Sequence, residues 1–108
     1  MQLYNEFMRD SIIKRFELCY ELAWKMLQMY LRSKAVDARN PKDVFKMALR
    51  EGLITDGGIG SEILNNRNLT IHTYYEHLAT RVYEHVKAEG YAAFQALLQT
   101  MLSLKWEE

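Results

Sequence analysis

The sequence contains few of the residues that interrupt or cross-link a chain. Its 108 residues include one cysteine, one proline and five glycines. A single cysteine excludes a disulfide within the chain and suits the reducing cytoplasm, which is the location we expect. It also excludes the paired-cysteine sites of structural zinc. No apolar run approaches the roughly 20 residues that span a bilayer, so we expect no membrane partner.

An excess of charge of either sign is also missing. The chain has 14 basic and 14 acidic side chains and a formal net charge of zero. A global electrostatic attraction to nucleic acid is therefore not indicated, although local basic patches remain possible. With 49% hydrophobic and 26% charged residues, the composition is typical of a folded protein, and we expect one helical domain over residues 1–108.

Apolar residues recur every three or four positions from about Asn5 to Arg32, which predicts a long helix. One face carries Ile12, Phe16, Tyr20, Ala23, Leu27 and Tyr30. A second set widens the apolar surface: Leu18, Cys19, Leu22, Met26 and Met29. We expect Cys19 to be a small buried residue within it. A chain this short cannot cover such a helix, so we predict a homodimer or a higher even-numbered oligomer.

Helix boundaries follow from the caps and the glycines. Asn40 followed by Pro41 predicts a helix start, and Gly52 predicts the end of that helix. The glycine-rich stretch Asp56-Gly57-Gly58 predicts a turn, with the third helix starting near Gly60 or the following serine.

Thr73-Tyr74-Tyr75-Glu76 matches a capping box, which predicts a new helix from about Tyr74. We expect Gly90 to kink or break that helix. No strand-like alternation is present. The fold class that we predict is all-α, an antiparallel up-and-down bundle of the four-helix type that dimerises.

The segment from Asn65 to Tyr74 is the candidate site. Its asparagines are poor choices for a helix selected for packing alone. If one helix ends near Ile71 and another begins after Thr73, His72 lies in a corner and can turn toward Arg67. An arginine that binds phosphate, a histidine that moves protons and a phenol would then meet.

Plainer interpretations stay open at this point. Arg67, His72 and Tyr74 could be a helix-end arginine, a corner histidine and a core tyrosine. Arg15 could form an ion pair at a dimer interface or contact a phosphate. His77 and His85 have no metal-ligating companions in the sequence, and phosphate-binding loops and HExxH are absent, so we expect no metal site and no cofactor.

Arg67, His72 and Tyr74 resemble the R-x4-H-x-Y motif of HEPN-domain proteins. Two further stretches resemble the nucleotidyltransferase substrate-binding protein family within them. The first runs over residues 9–17 and 20–25 (RDSIIKRFE, YELAWK), and the second over residues 41–45 (PKDVF). The resemblance extends from about Arg9 to Tyr83. Family members usually have a further helix before the first stretch, so we expect this chain to lack the family's first helix.

The resemblance implies homodimeric bundles that pair with a minimal nucleotidyltransferase. Our first hypothesis is a nucleotide-related subunit of that partner. The second is a metal-independent endoribonuclease toxin, in which Arg67 and His72 meet across the dimer. Asn68 would then be a polar neighbour, and Tyr74 would receive AMP from the partner. A structural dimerisation module is a third possibility. An RNA phosphate and a nucleotide phosphate require the same arginine, so the residues alone leave the first two open.

Overall fold

The computed structural model describes residues 2–55 and 57–104, and every regular element in these ranges is helical. The α-helices are α1 (Gln2–Ser33), α2 (Pro41–Arg50), α3 (Gly57–Leu69), α4 (Glu76–His85) and α5 (Tyr91–Ser103). A 3-10 turn, Thr70–His72, follows α3, and a π-helical turn, Val86–Gly90, joins α4 directly to α5. The chain therefore forms four helical rods, and the predicted all-α bundle is confirmed.

The inner face of α1 forms the centre of the core. It packs against α2, α3 and α4. The buried α1 side chains are Ile13, Phe16, Tyr20, Ala23, Leu27 and Leu31. They meet buried residues of the other helices, among them Val44, Ala48, Ile63, Ala79 and Val82. The predicted periodicity is confirmed, with Ile13 buried where Ile12 was expected.

The opposite side of α1 carries an outer stripe, formed by Leu18, Leu22 and Met29, which are 56%, 59% and 63% exposed. Cys19 is also exposed, so the expectation of a buried cysteine is wrong. The reason is geometric: the other helices of the same chain cover only one side of α1. No helix in the described ranges has both the length and the apolar character needed to cross a membrane. Cover for the outer stripe by a second copy stays a prediction.

The caps of α1 and α2 explain where these helices end. At α1, Ala35 adopts a left-handed φ of 63°, and the amide of Val36 donates to the carbonyl of Leu31 at 2.8 Å. At α2, Gly52 has a φ of 79°, as predicted for a helix stop. Asn40 caps the start of α2, since its side chain accepts from the Asp43 amide at 2.9 Å. Both predicted boundaries of α2 are confirmed.

The predicted turn at the central glycines is wrong. Helix α3 begins at Gly57 rather than near Gly60, while Asp56 lies outside the described residues. Gly60 is buried, and a Cβ atom there would lie 3.6 Å from Ile54 and 3.9 Å from Phe45. These are ordinary van der Waals distances, so the packing would accept a side chain at position 60; it is the packing of α3 against the other helices that outweighs the low helix propensity of its glycines.

The predicted capping box is also wrong, although the break in the helix is confirmed. Helix α4 begins at Glu76 with Tyr75 at the cap position, and no side chain in the described part of the chain caps it. The Thr73 hydroxyl instead donates to the Thr70 carbonyl at 3.1 Å, because the 3-10 turn brings that carbonyl within reach. Gly90 does not break the last rod, since the π-helical turn runs on into α5.

The Asn40 cap gives a stability prediction. Replacing Asn40 with Ala removes the acceptor for the Asp43 amide and should lower the free energy of unfolding by about 1 kcal/mol. Urea denaturation measures this change. Asn65→Ala, at an exposed position within α3, is the matched control and should not destabilise the protein. Equal unfolding free energies for wild type and Asn40→Ala would contradict the assigned cap.

Candidate functional site

A corner between α3 and α4 carries the candidate site. The Thr70 hydroxyl donates to the Arg67 carbonyl at 2.6 Å, and the Thr73 hydroxyl donates to the Thr70 carbonyl at 3.1 Å. These side-chain hydrogen bonds satisfy carbonyl groups at the end of α3, where helical partners run out. The chain then turns, and His72 lies at the exposed corner between the two helices.

His72 and Tyr74 form a pair on the surface of this corner. His72 Nδ1 and the Tyr74 hydroxyl are 3.2 Å apart, and the two rings meet edge to face at 5.9 Å. Tyr74 is 73% exposed, which rules out the core-tyrosine interpretation. Its ring also lies 4.5 Å from that of Tyr75. Both the imidazole and the phenol are therefore accessible to a ligand or to another protein.

Arg67 points away from this pair, toward α1. Its guanidinium lies over the Tyr20 ring at 5.5 Å, and Nη2 is 3.8 Å from Glu21 Oε1. Nη1 donates to the Thr70 hydroxyl at 3.4 Å, while Nε is buried without a hydrogen-bond partner among the described residues. Burial raises the pKa of Tyr20, an effect that the Arg67 charge partly offsets. Within the described chain, no hydrogen bond joins Arg67 to His72.

Glu21 is a site residue that the sequence reasoning missed. Besides Arg67, it contacts Lys25 Nζ at 3.8 Å and accepts from the Trp24 indole at 3.3 Å. It lies on α1 one turn after Leu18, at the edge of the outer stripe. An acidic residue between two apolar ones on α1 could have indicated a buried or paired carboxylate. Nothing in the sequence indicated that its partner is Arg67 of α3.

Arg9 fixes the far side of the corner. Its Nη1 bonds Glu76 Oε1 at 2.6 Å, and its side chain is only 13% exposed. The hydrogen bond to Glu76 also raises the pKa of Arg9. Because Glu76 is the first residue of α4, this ion pair holds the start of α4 against α1. The resemblance included Arg9 but assigned it no role.

Asn68 and Arg15 lie outside the corner. Asn68 is exposed on α3, where it lines a groove of about 620 Å³ with the α2 residues Lys42 and Lys46. Arg15 is exposed on α1, at a shallow hollow of about 580 Å³ that it shares with Glu21. Neither has a hydrogen bond to Arg67, His72 or Tyr74 in the described ranges. Their roles as binding residues stay predictions.

The two remaining histidines differ. His77 is exposed, with its ring 6.0 Å from that of Tyr75. His85 is buried, and carboxylates of Glu62 and Glu89 lie within 4.0 Å of its Nδ1. The expectation that His85 lacks metal-ligating companions is therefore wrong, because α3 brings Glu62 from a distant part of the sequence.

Comparison with known proteins adds evolutionary evidence. A family model described as "Nucleotidyltransferase substrate binding protein like" matches residues 1–103. A protein of Haemophilus influenzae named "Probable ribonuclease HepT" is 37% identical, with the match covering 68% of this chain and 54% of the relative. The chain thus spans about half the length of that curated relative.

A crystal structure of a Thermus thermophilus protein has the same fold. The TM-score is 0.79 at 32% sequence identity, over 86% of this chain and 80% of the other. The helical bundle, the R-x4-H-x-Y motif at its corner and the match along nearly the whole sequence agree. The chain belongs to the nucleotidyltransferase substrate-binding protein family, among the HepT-like HEPN proteins.

Proposed function

We propose that this protein is a metal-independent endoribonuclease that acts as a homodimer and is controlled by a partner nucleotidyltransferase. The observation that carries the proposal is the exposed His72, paired with the exposed Tyr74 and five residues after Arg67. The relative named as a probable ribonuclease supports the same activity. The family's description supports the nucleotidyltransferase partner.

The chemistry requires only proton transfer and charge stabilisation. His72 Nδ1 faces Tyr74, which leaves Nε2 to take the proton from a ribose 2′-hydroxyl. The 2′-oxygen then attacks the adjacent phosphorus, and the bond to the 5′-oxygen breaks as that oxygen receives the proton back from His72. A cyclic 2′,3′-phosphate and a 5′-hydroxyl result. Arg67 stabilises the charge on the phosphate oxygens by paired hydrogen bonds.

A second copy of the chain is needed to complete this site. In one chain, Arg67 is held beside Glu21, at the edge of the outer stripe, and not beside His72. Pairing of two outer stripes would cover their apolar side chains and bring a second corner close to Arg67. Arg15 lies on the same face, and we assign it to an ion pair across the interface.

The alternative is a subunit that binds a nucleotide without cutting RNA. The family's description favours it. A guanidinium that is already paired with a carboxylate can exchange that partner for a nucleotide phosphate. Under this alternative His72 orients the nucleotide and performs no proton transfer.

The cleavage prediction separates the two functions. Wild type should cut single-stranded RNA in the presence of EDTA. His72→Ala should lower the rate by about 10² or more, since general acid–base catalysis contributes 10²–10⁴. Arg67→Lys should also lose RNA cleavage, because lysine cannot form the two parallel hydrogen bonds that arginine forms with a phosphate. His77→Ala and Arg50→Ala, both at exposed positions, are the matched controls.

Gel analysis of a labelled RNA provides the measurement. No cutting by wild type, together with ATP binding that Arg67→Ala weakens, would contradict the ribonuclease and support the binding subunit. Equal cutting by wild type and His72→Ala would exclude His72 as the proton-transfer group.

Tyr74 provides the prediction for the partner. Incubation with the cognate nucleotidyltransferase and ATP should transfer AMP to the Tyr74 hydroxyl, which the structure leaves exposed, with release of pyrophosphate. Tyr74→Phe should remove the added mass in intact-protein mass spectrometry. Tyr75→Phe retains a phenol at position 74 and should be modified like wild type. Modification that persists in Tyr74→Phe would contradict the assignment.

A further inference from the structure

A cluster of three potential metal ligands lies between α3 and the π-helical turn. His85 is the last residue of α4, Glu89 follows one turn later, and Glu62 belongs to α3. His85 Nδ1 is 3.8 Å from Glu89 Oε2 and 4.0 Å from Glu62 Oε2. One ligand atom from each of the three residues lies within 4.8 Å of the others.

His85 is buried, and among the described residues its ring forms no hydrogen bond. Its side chain is only 6% exposed, and it packs edge-on against the Phe16 ring at 5.9 Å. Nε2 has no hydrogen-bond partner among the described residues, and Nδ1 is too far from either carboxylate to donate to it. Nδ1 faces the two carboxylates at distances longer than a hydrogen bond, so it is the nitrogen that a bound ion would contact.

The surroundings of His85 suit a ligand role. Glu62 on α3 and Glu89 on the π-helical turn approach the imidazole from two elements, so their carboxylates and Nδ1 converge on one point. The π-helical turn that carries Glu89 is a rare conformation and occurs frequently at functional sites.

We propose that Glu62, His85 and Glu89 bind one first-row divalent cation of the zinc type. One imidazole nitrogen and two carboxylate oxygens form a ligand set that suits Zn²⁺, whereas Mg²⁺ and Ca²⁺ favour oxygen alone. Metal–ligand bonds of about 2.1 Å place tetrahedral ligands about 3.4 Å apart. The side chains of Glu62 and Glu89 are 59% and 53% exposed, so small rotations close the present distances.

The role of this cation is to join helices. Glu62 lies on α3, five residues before Arg67, and the other two ligands belong to the last helical rod. The bound ion therefore ties the helix that carries Arg67 to the end of α4. This site is separate from the proposed ribonuclease chemistry, which uses no metal, so either proposal can fail without the other.

The test measures zinc binding to the full-length protein after dialysis against a chelator. Calorimetry should find one Zn²⁺ per chain, and excess zinc should raise the melting temperature by about 5 °C, because a ligand of the folded state stabilises it. Excess Mg²⁺ should cause no comparable rise. Glu62→Gln and Glu89→Gln should each weaken zinc binding by about tenfold or more and remove the rise. Glu84→Gln, at an exposed position outside the cluster, is the matched control.

The two carboxylates are exposed, so their variants test the site without disturbing the buried His85. Zinc binding by the Glu62→Gln, Glu89→Gln double variant with wild-type affinity would overturn the proposal. A wild type that shows no zinc-dependent change in melting temperature at millimolar zinc would overturn it as well.

Discussion

Helix α1 carries apolar side chains around most of its circumference, and a single chain covers only its inner face. That constraint organises the rest of the molecule. The inner face receives α2, α3 and α4 and forms the core. The outer stripe remains exposed. Between the two faces lies Glu21, the residue that holds Arg67. The candidate site therefore lies between the inner face of α1, which the chain buries, and the outer stripe, which it leaves exposed.

The corner itself depends on polar contacts rather than on packing. Thr70 and Thr73 satisfy carbonyl groups where α3 ends, and Arg9 draws the start of α4 toward α1 through Glu76. Because Glu76 is mostly exposed, solvent screening limits the contribution of its pair with Arg9 to about 0–1 kcal/mol. The result is a fixed bend that exposes His72 while Arg67 stays anchored on the preceding helix. His72 is exposed, whereas Arg67 is partly buried and faces Glu21 on α1.

Much of the fold followed from local rules of sequence. Apolar periodicity located α1, and Asn40 and Gly52 bounded α2, because caps act over a few residues. The failures arose where tertiary contacts outweighed local preference. Gly57 lies in a helix because the packing of α3 on α1, α2 and α4 outweighs the low helix propensity of glycine. The apolar pattern of α1 also gave no means of telling its inner side from its outer side, which is why Cys19 was misplaced.

The candidate site, like the fold, could be predicted where its residues lie close together in the sequence and not where they are far apart. The motif and the helix break were visible in the sequence, since both lie within ten residues. The contact of Arg67 with Glu21, and the approach of Glu62 to His85, join positions far apart in the chain. Such pairs depend on how α3 lies against α1 and α4. No spacing rule within one helix could have indicated them.

The central claim is that Arg67 of one chain works with His72 of another. The most direct measurement mixes two inactive variants, Arg67→Ala and His72→Ala, under conditions that exchange subunits. If the site forms across the dimer, each mixed dimer contains one intact Arg67–His72 pair. RNA cleavage should then return to about one quarter of the wild-type rate, because about half of the dimers are mixed and each has one of two sites. Mixed dimers that form, as shown by native mass spectrometry, but remain inactive would contradict the account.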